Sequence, residues 1–345
     1  GLSNTAGADS ATVAGGFGNE VTALLGTIGG GGRTTFNNAA TGNRVTDEYG
    51  TVAGGGYNHA GDATGDATTA YYATVGGGYR NSASNEYATV AGGATNQADG
   101  EAAAVLGGHL NGAFGEYSAI GGGFWNAASG SHATVGGGQQ NVAAGAFATV
   151  AGGGPYPTNE PGTSNAATDN YATVSGGADN IAGADDGNPA TAPYATVGGG
   201  YQNRAYGRQA TIGGGGANQA AYRATVGGGL RNTAIGSYSA IPGGIDNYAG
   251  GNYSFAAGRN AHAATTGSFV WADSSGEQFS TGGVNDSFNV RANGGVWLVV
   301  DGDPQSWWRC WVMSGSSWTC TSDRNMKENL VLALSLIHIS EPTRL

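Results

Sequence analysis

Residues 72–150 repeat one short unit: YATVGGG at 72–78, YATVAGG at 87–93, YSAIGGG at 117–123, HATVGGG at 132–138 and FATV at 147–150. The closing hydrophobic residue falls at Val75, Val90, Val105, Ile120, Val135 and Val150, a constant step of 15. Asn81, Asn96, Asn111, Asn126 and Asn141 keep the same step. A period strict in both length and phase marks a solenoid, in which each unit buries its apolar side only against the next. Within one unit the pattern alternates with period two, so Ala88 and Val90 point one way and Tyr87 and Thr89 the other. The segment Asn81, Ser82, Ala83 has the same rhythm. Each coil is therefore expected to hold two short strands and two tight turns, with glycine at the corners and β-branched residues in the strands. A helix is excluded by the missing 3.6 period and by glycine runs that cost roughly 1 kcal/mol per residue against alanine. The expected fold class is all-β, a parallel β-solenoid of about 15-residue coils whose alanines and valines enclose a thin core.

The composition agrees. Glycine accounts for 68 of 345 residues without the every-third-residue phase of collagen, and 39% of the chain is hydrophobic. Charged residues make up only 11%, with a formal net charge of −11. No Lys/Arg cluster exists to replace phosphate counterions, which argues against nucleic acid as a partner. No 18-residue apolar run is present to span a bilayer as a helix. The chain opens at Gly1 in mid-pattern, without an initiator Met, and reads as a fragment of a longer protein.

Looser forms of the repeat open the chain, in SATVAGG at 10–16, GTIGGGG at 26–32 and GTVAGGG at 50–56. Later the step lengthens to 23 from Val52 to Val75, 24 from Val150 to Val174 and 23 from Val174 to Val197. The extra residues, at 61–70, 155–170 and 183–193, each precede the next A-T-V. They are expected to leave equivalent corners as surface loops, where binding residues collect. Their acids Asp62, Asp66, Asp185 and Asp186 read either as a solvated loop or as a calcium site, without EF-hand spacing. The period resumes at Val197, Ile212, Val226 and Ile241, so the repeats span 1–264.

Residues 265–318 change composition and read as a small β cap or connector over the last coil. The five tryptophans from Trp297 to Trp318 supply either the core that the alanine-lined coils lack or a sugar-binding surface. Cys310 and Cys320 read either as a bridge or as buried thiols. His59, His109, His132, His262 and His338 are scattered without i,i+4 partners or a nearby Cys, so neither metal nor cofactor is expected.

The A-T-V-G-G-G and Asn-x-Ala units, as in NTAIGSYSAI at 232–241, resemble the head repeats of trimeric autotransporter adhesins of the YadA type. Similar repeats occur in phage tail-fibre and tail-spike-like proteins. The resemblance covers roughly residues 8–264 and implies a left-handed parallel β-roll with three chains side by side. This chain departs from it in its 15-residue steps, glycine triplets and insertions. The resemblance implies a homotrimer that is extracellular, on a bacterial cell surface or a phage virion, with a host-surface glycan or a matrix protein as target. The alternative is a glycan-degrading tail-spike-like enzyme using the inserted loops. It would need two carboxylates beside an aromatic platform, for which only Asp62, Glu160 and Asp185, with Tyr156, are candidates.

Residues 319–332 contain TCTSDRNMKEN, which resembles the start of an endosialidase-type C-terminal intramolecular chaperone domain. The family's opening pattern is Ser-Asp-x-Arg-x-Lys. By that resemblance Ser322 is the nucleophile, Lys327 its dyad partner, and the bond between Thr321 and Ser322 is cut once, in cis. Arg324 stands one place early and Asn325 replaces the usual Arg. A serine hydroxyl must lose its proton to attack, and a lysine made neutral by burial can take it. Read from these residues alone, Ser322 is instead a helix N-cap and Lys327 a solvent-facing side chain. The family domain is far longer than the stretch of chain after Lys327, so self-cleavage is expected of a full-length parent and not of this chain. The tail at 333–345 contains LSLIHISEPTRL, shares no composition with the rest and resembles a translated sequencing-adapter read-through.

Overall fold

The computed structural model describes residues 1–32, 42–62, 64, 66–155, 164–299, 309–312 and 318–320. Two parallel ladders of 17 strands each run from Thr5 to Arg291. One is built from the Asn-x-Ala segments, from Thr5–Ala6 to Phe279–Ser280, and the other from the Thr-Val segments, from Thr12–Val13 to Phe288–Arg291. Strands pair one coil apart in strict register: Thr89 and Val90 lie between Thr74 and Val75 on one side and Ala104 and Val105 on the other. A third column of single-residue parallel bridges follows the glycine triplets, as in Tyr79, Ala94, His109 and Phe124. No helix occurs among the described residues. The protein is an all-β parallel β-solenoid, and the period of 15 is one turn of it.

The alternation read from the sequence sets the interior. Ala88 and Val90 are fully buried, while Tyr87 is half exposed. One apolar column of Ala, Val and Ile runs from Val21 to Ala272. Between the ladders stands a buried asparagine column. The Asn126 backbone N–H donates to Asn111 Oδ1 (3.0 Å), and Asn126 Nδ2 donates to the carbonyls of Gly122 (2.9 Å) and Gly138 (3.0 Å). Asn141 N–H then donates to Asn126 Oδ1 at 2.9 Å. Each side chain thus satisfies the turn of its own coil and that of the next, in a core where an unmet polar group is costly. The relay breaks once. Asn141 Oδ1 has no partner among the described residues, and the next coil is the one interrupted between Gly154 and Asn165.

Glycine serves the corners less widely than its abundance suggests. It is obligatory at the third place of the triplet: Gly138 has φ +86°, and a Cβ there would fall on the Gly153 carbonyl oxygen of the next coil. The other two corners mostly use left-handed residues that are not glycine, such as Tyr87 (φ +55°) and Arg80 (φ +55°). This conformation costs an L-residue about 1–2 kcal/mol. It is held by a hydrogen bond to the coil before, as from Phe147 N to Ser131 O at 2.8 Å.

In some coils serine replaces the inward alanine, and in three of them its hydroxyl is left without a partner among the described residues. Ser118, Ser239 and Ser254 are each 1% exposed, and their hydroxyls have no hydrogen-bond partner among the described residues. A buried hydroxyl without a partner costs about 1–3 kcal/mol. Ser118→Ala, Ser239→Ala and Ser254→Ala are each expected to stabilise the fold by about 1 kcal/mol, read as a higher denaturation midpoint. An unchanged or lower midpoint would contradict this.

The composition shift near 269 does not end the coil. Phe255, Phe269 and Phe288 occupy one register and stack at 4.7 Å, and the parallel ladder runs on to Arg291. An antiparallel sheet of Val296–Val299, Arg309–Val312 and Trp318–Cys320 comes after it. In it Cys310 and Cys320 are direct register partners. Opposed residues of antiparallel strands have Cα atoms about 4.5–5.5 Å apart, inside the ~4.4–6.8 Å window of a disulfide. Thiol labelling of the denatured chain is expected to modify neither cysteine before reduction and both after it; labelling without reductant would show free thiols. Thr321, Ser322, Lys327, His338, the tail at 333–345 and the tryptophan side chains of the cap lie outside the described residues.

Candidate functional site

The inserted segments do not all leave the same corner. Those at 61–70 and 183–193 lie between the Asn-x-Ala strand and the next A-T-V, whereas the one at 155–164 lies between a glycine triplet and its asparagine. A fourth insertion, masked in the sequence by the looser opening repeats, lengthens the step from Ile28 to Val52 to 24 and sits at that second corner too, between Gly32 and Asn43. The four make two pairs. Ile28 and Val150, Val52 and Val174, and Val75 and Val197 are each 122 residues apart, so a whole block of coils recurs. Seven coil steps separate the pairs, about 34 Å along the axis at the ~4.8 Å strand spacing.

Two buried carboxylates that the sequence did not single out hold the loops. Asp47 and Asp169 are each 1% exposed and occupy the same place in their coils. Asp47 Oδ2 accepts Asp62 N–H (2.7 Å) and Oδ1 accepts Ala70 N–H (3.2 Å), so the carboxylate closes both ends of the loop. Asp169 does the same 122 residues later, accepting Ala184 N–H at 2.5 Å and the amides of Ala192 and Thr191. Burial pushes the Asp169 carboxyl above its ordinary range, with the Asp186 charge adding to the shift. Main-chain bonds match as well: Glu48 N to Ala67 O and Asn170 N to Pro189 O are both 2.8 Å.

The loop acids named as candidates are committed locally. Asp62 accepts from the Thr64 hydroxyl (2.6 Å) and the Thr69 hydroxyl (2.7 Å), and Asp66 from the Thr68 hydroxyl (2.7 Å). Asp185 lies 3.9 Å from Arg204, and Asp186 accepts Asn188 N–H at 2.9 Å. Tyr156 and Glu160 lie outside the described residues. No group of three or more His, Cys, Asp or Glu side chains converges as a metal site among the described residues. His59 is bound to the Thr46 hydroxyl (2.9 Å), and burial lowers its pKa.

The left-handed corner before the A-T-V carries aromatic residues in three runs of neighbouring coils. Tyr117, His132, Phe147, Tyr171 and Tyr194 stack one on the next with centroids 4.6–5.1 Å apart. Tyr49, Tyr72 and Tyr87 form a second run, and Tyr238 with Tyr253 a third. Each aromatic pair returns about 0.5–1.5 kcal/mol, which offsets much of the left-handed backbone cost at that corner. Beside it Glu86, Glu101 and Glu116 keep the 15-residue step. A hydrogen bond to Glu86 pushes the Tyr71 hydroxyl up to about 12.

The other left-handed corner borders a groove of about 600 Å³ that runs across six coils. Its wall carries Tyr57, Arg80, Leu110 and Trp125, and its floor Ser82, Gln97 and Gly112. Arg80 Cζ sits 5.1 Å above the Tyr57 ring, and Trp125 is 59% exposed. No protein-family model and no curated protein matches the chain.

Proposed function

We propose that the chain is the head of a trimeric, adhesive fibre, YadA-like in its repeats and extracellular on a bacterial surface or a phage tail. The observation that carries this reading is the recurrence of a carboxylate-latched loop, at 61–70 and 183–193, at a 122-residue interval on an otherwise uniform scaffold. Such a scaffold holds the same loops at fixed spacing along a rod, which suits multivalent contact. The aromatic runs support self-association. Tyr49, Tyr72, Tyr87, Tyr117, Phe147, Tyr171, Tyr194, Tyr238 and Tyr253 are 40–66% exposed. At about 200 Å² per aromatic side chain, the exposed parts of Tyr117, Phe147, Tyr171 and Tyr194 in the longest stacked run sum to roughly 370 Å², within the ~300–600 Å² of a largest surface patch, which is often functional.

Sedimentation equilibrium tests the assembly. The expected mass is that of three chains, and Phe147→Glu with Tyr171→Glu is expected to release monomers. A wild-type chain that stays monomeric rejects the trimer. A glycan and matrix-protein array, followed by reducing-end assays on every hit, tests the role: binding without product is expected. Product formation would favour the glycan-degrading alternative, which the commitment of the loop carboxylates to local bonds does not support.

At the C-terminus the same reading calls for an aligning device. Near-identical coils give little packing penalty to a slip of one coil between chains, so alignment imposed from one end is an advantage. A self-releasing chaperone whose Ser322 attacks the Thr321 carbonyl, with Lys327 as base, would supply that end. In a longer parent chain intact-mass spectrometry is expected to show cleavage before Ser322, abolished by Ser322→Ala. An uncut wild-type trimer rejects it.

A further inference from the structure

We propose that the groove from Arg44 to Trp125 binds a linear, carboxylated oligosaccharide laid along the solenoid axis. The inference rests on the adhesive reading and assigns it a site away from the loops. The first feature of the groove is its charge. The chain has only 13 Lys and Arg against 24 Asp and Glu, yet Arg44 and Arg80 both line this groove. Arg44 is paired with Glu20 at 3.2 Å. Arg80 is exposed, lies over Tyr57, and forms no ion pair among the described residues. A guanidinium that is fixed on a ring and free of a carboxylate is a ready partner for an anionic ligand group.

The shape comes from the register. In the outward column of the Asn-x-Ala ladder the groove carries Arg44, His59, Ser82, Gln97, Gly112 and Ala127, and the Phe114 ring lies over Gly112. The floor is therefore low at Ser82 and Ala127, with an aromatic ring between them. From Arg80 to Trp125 is three coil steps, about 14 Å, so a carboxylate at one end and an aromatic platform at the other suit a ligand of several units. Trp125, 59% exposed, and Leu110, 38% exposed, offer an apolar face to sugar C–H groups, and Ser82, Thr95 and Gln97 offer hydrogen bonds to hydroxyls.

An extended peptide fits less well. Strand addition needs a free edge, and every floor strand is already paired with the coils on both sides, as Gln97 and Ala98 are with Ser82 and Ala83 and with Gly112 and Ala113. The ligand must therefore be held by side chains, as a glycan is.

The substitutions that test this use residues the chain itself places at the same corner. Gln140 and Gln202 stand at the Arg80 position and Ala217 at the Trp125 position, all with the same left-handed backbone. Arg80→Gln and Trp125→Ala are therefore expected to leave the fold intact. Calorimetric titration of the full chain would use a galacturonic acid oligosaccharide, its methyl ester and a polyglutamate peptide. The acidic oligosaccharide is expected to bind, with a salt-dependent affinity that falls roughly tenfold or more in each variant, and the ester to bind at least tenfold more weakly. Equal binding of acid and ester, tight binding of polyglutamate, affinities unmoved by both substitutions, or no binding at millimolar ligand would each overturn the proposal. Sedimentation of the same samples separates the two readings. A monomer that binds the oligosaccharide rejects the trimer alone, and a trimer with no groove binding rejects the groove alone. A change of oligomeric state in Arg80→Gln or Trp125→Ala would make the groove a contact between chains and overturn the ligand.

Discussion

Asn126→Ala is expected to melt the middle of the solenoid locally, with a cost on the order of 4 kcal/mol, because each buried group left without a partner costs about 1–3 kcal/mol. The side chain is 1% exposed and serves three coils. Its removal takes the acceptor from Asn141 N–H and the donor from the Gly122 and Gly138 carbonyls. A solenoid distributes such a loss unevenly because each coil touches only its neighbours, so a single global free energy understates the effect. Hydrogen exchange of the Thr134–Val135 and Ala119–Ile120 strands should accelerate about a hundredfold or more, while Thr27–Ile28 and Thr225–Val226 remain as protected as before. Asn126→Asp is expected to be worse than alanine. It keeps an acceptor for Asn141 but turns a second carboxylate oxygen toward two carbonyls and buries a charge. Uniform exchange in the variant and the wild type would mean that the column does not carry the stability assigned to it.

How far this architecture was legible from the sequence depended on whether the information lay in spacing or in contact. Val75 to Val150 defined one turn of the coil because a parallel ladder permits no drift in phase, and the inward and outward places of Ala88, Val90, Tyr87 and Thr89 came from the period of two. The corners were less legible. The pattern predicts glycine at the corners, but Tyr87 and Arg80 are left-handed because the coil before holds their N–H groups, and no residue type encodes that bond. Asp47 and Asp169 were hidden for a related reason. As letters they are loop acids, and only the return of the chain at Asp62 and Ala184 makes them buried acceptors. The signal available was the recurrence of Thr-Asp at 46–47 and 168–169, each one coil before an insertion. The groove is a further step removed, since it joins residues 45 positions apart through three coil steps.

Asp169→Ala is expected to release the loop at 183–193 while leaving the coils on both sides folded. The carboxylate accepts the amide of Ala184 at one end of the loop and those of Thr191 and Ala192 at the other, so its loss strands three N–H groups at once. Hydrogen bonds to a charged acceptor contribute about 1.5–3 kcal/mol each, which puts the local loss on the order of 5 kcal/mol. The expected readings are protease cleavage within 184–190 and loss of amide protection at Ala184 and Ala192, with Thr211–Ile212 unaffected. Asp47→Ala should do the same to 61–70, since Asp62 and Ala70 hang from it in the same way. Asp169→Asn should fall between, because it keeps one acceptor oxygen and sets an NH2 against the remaining donors. The acid leaves a pH signature too. Burial raises its folded pKa above the ordinary value of 3.8, so as pH falls toward 3.8 the folded chain takes up this proton before the unfolded chain does. Acidification through that window therefore adds stability at this residue, the reverse of ordinary acid denaturation. Relative to Asp169→Asn, the wild type should gain in denaturation midpoint between neutral pH and about pH 4. A parallel response of the two proteins, or a loop as protected in Asp169→Ala as in the wild type, would show that the loop is held by its own turns and not by the buried acid.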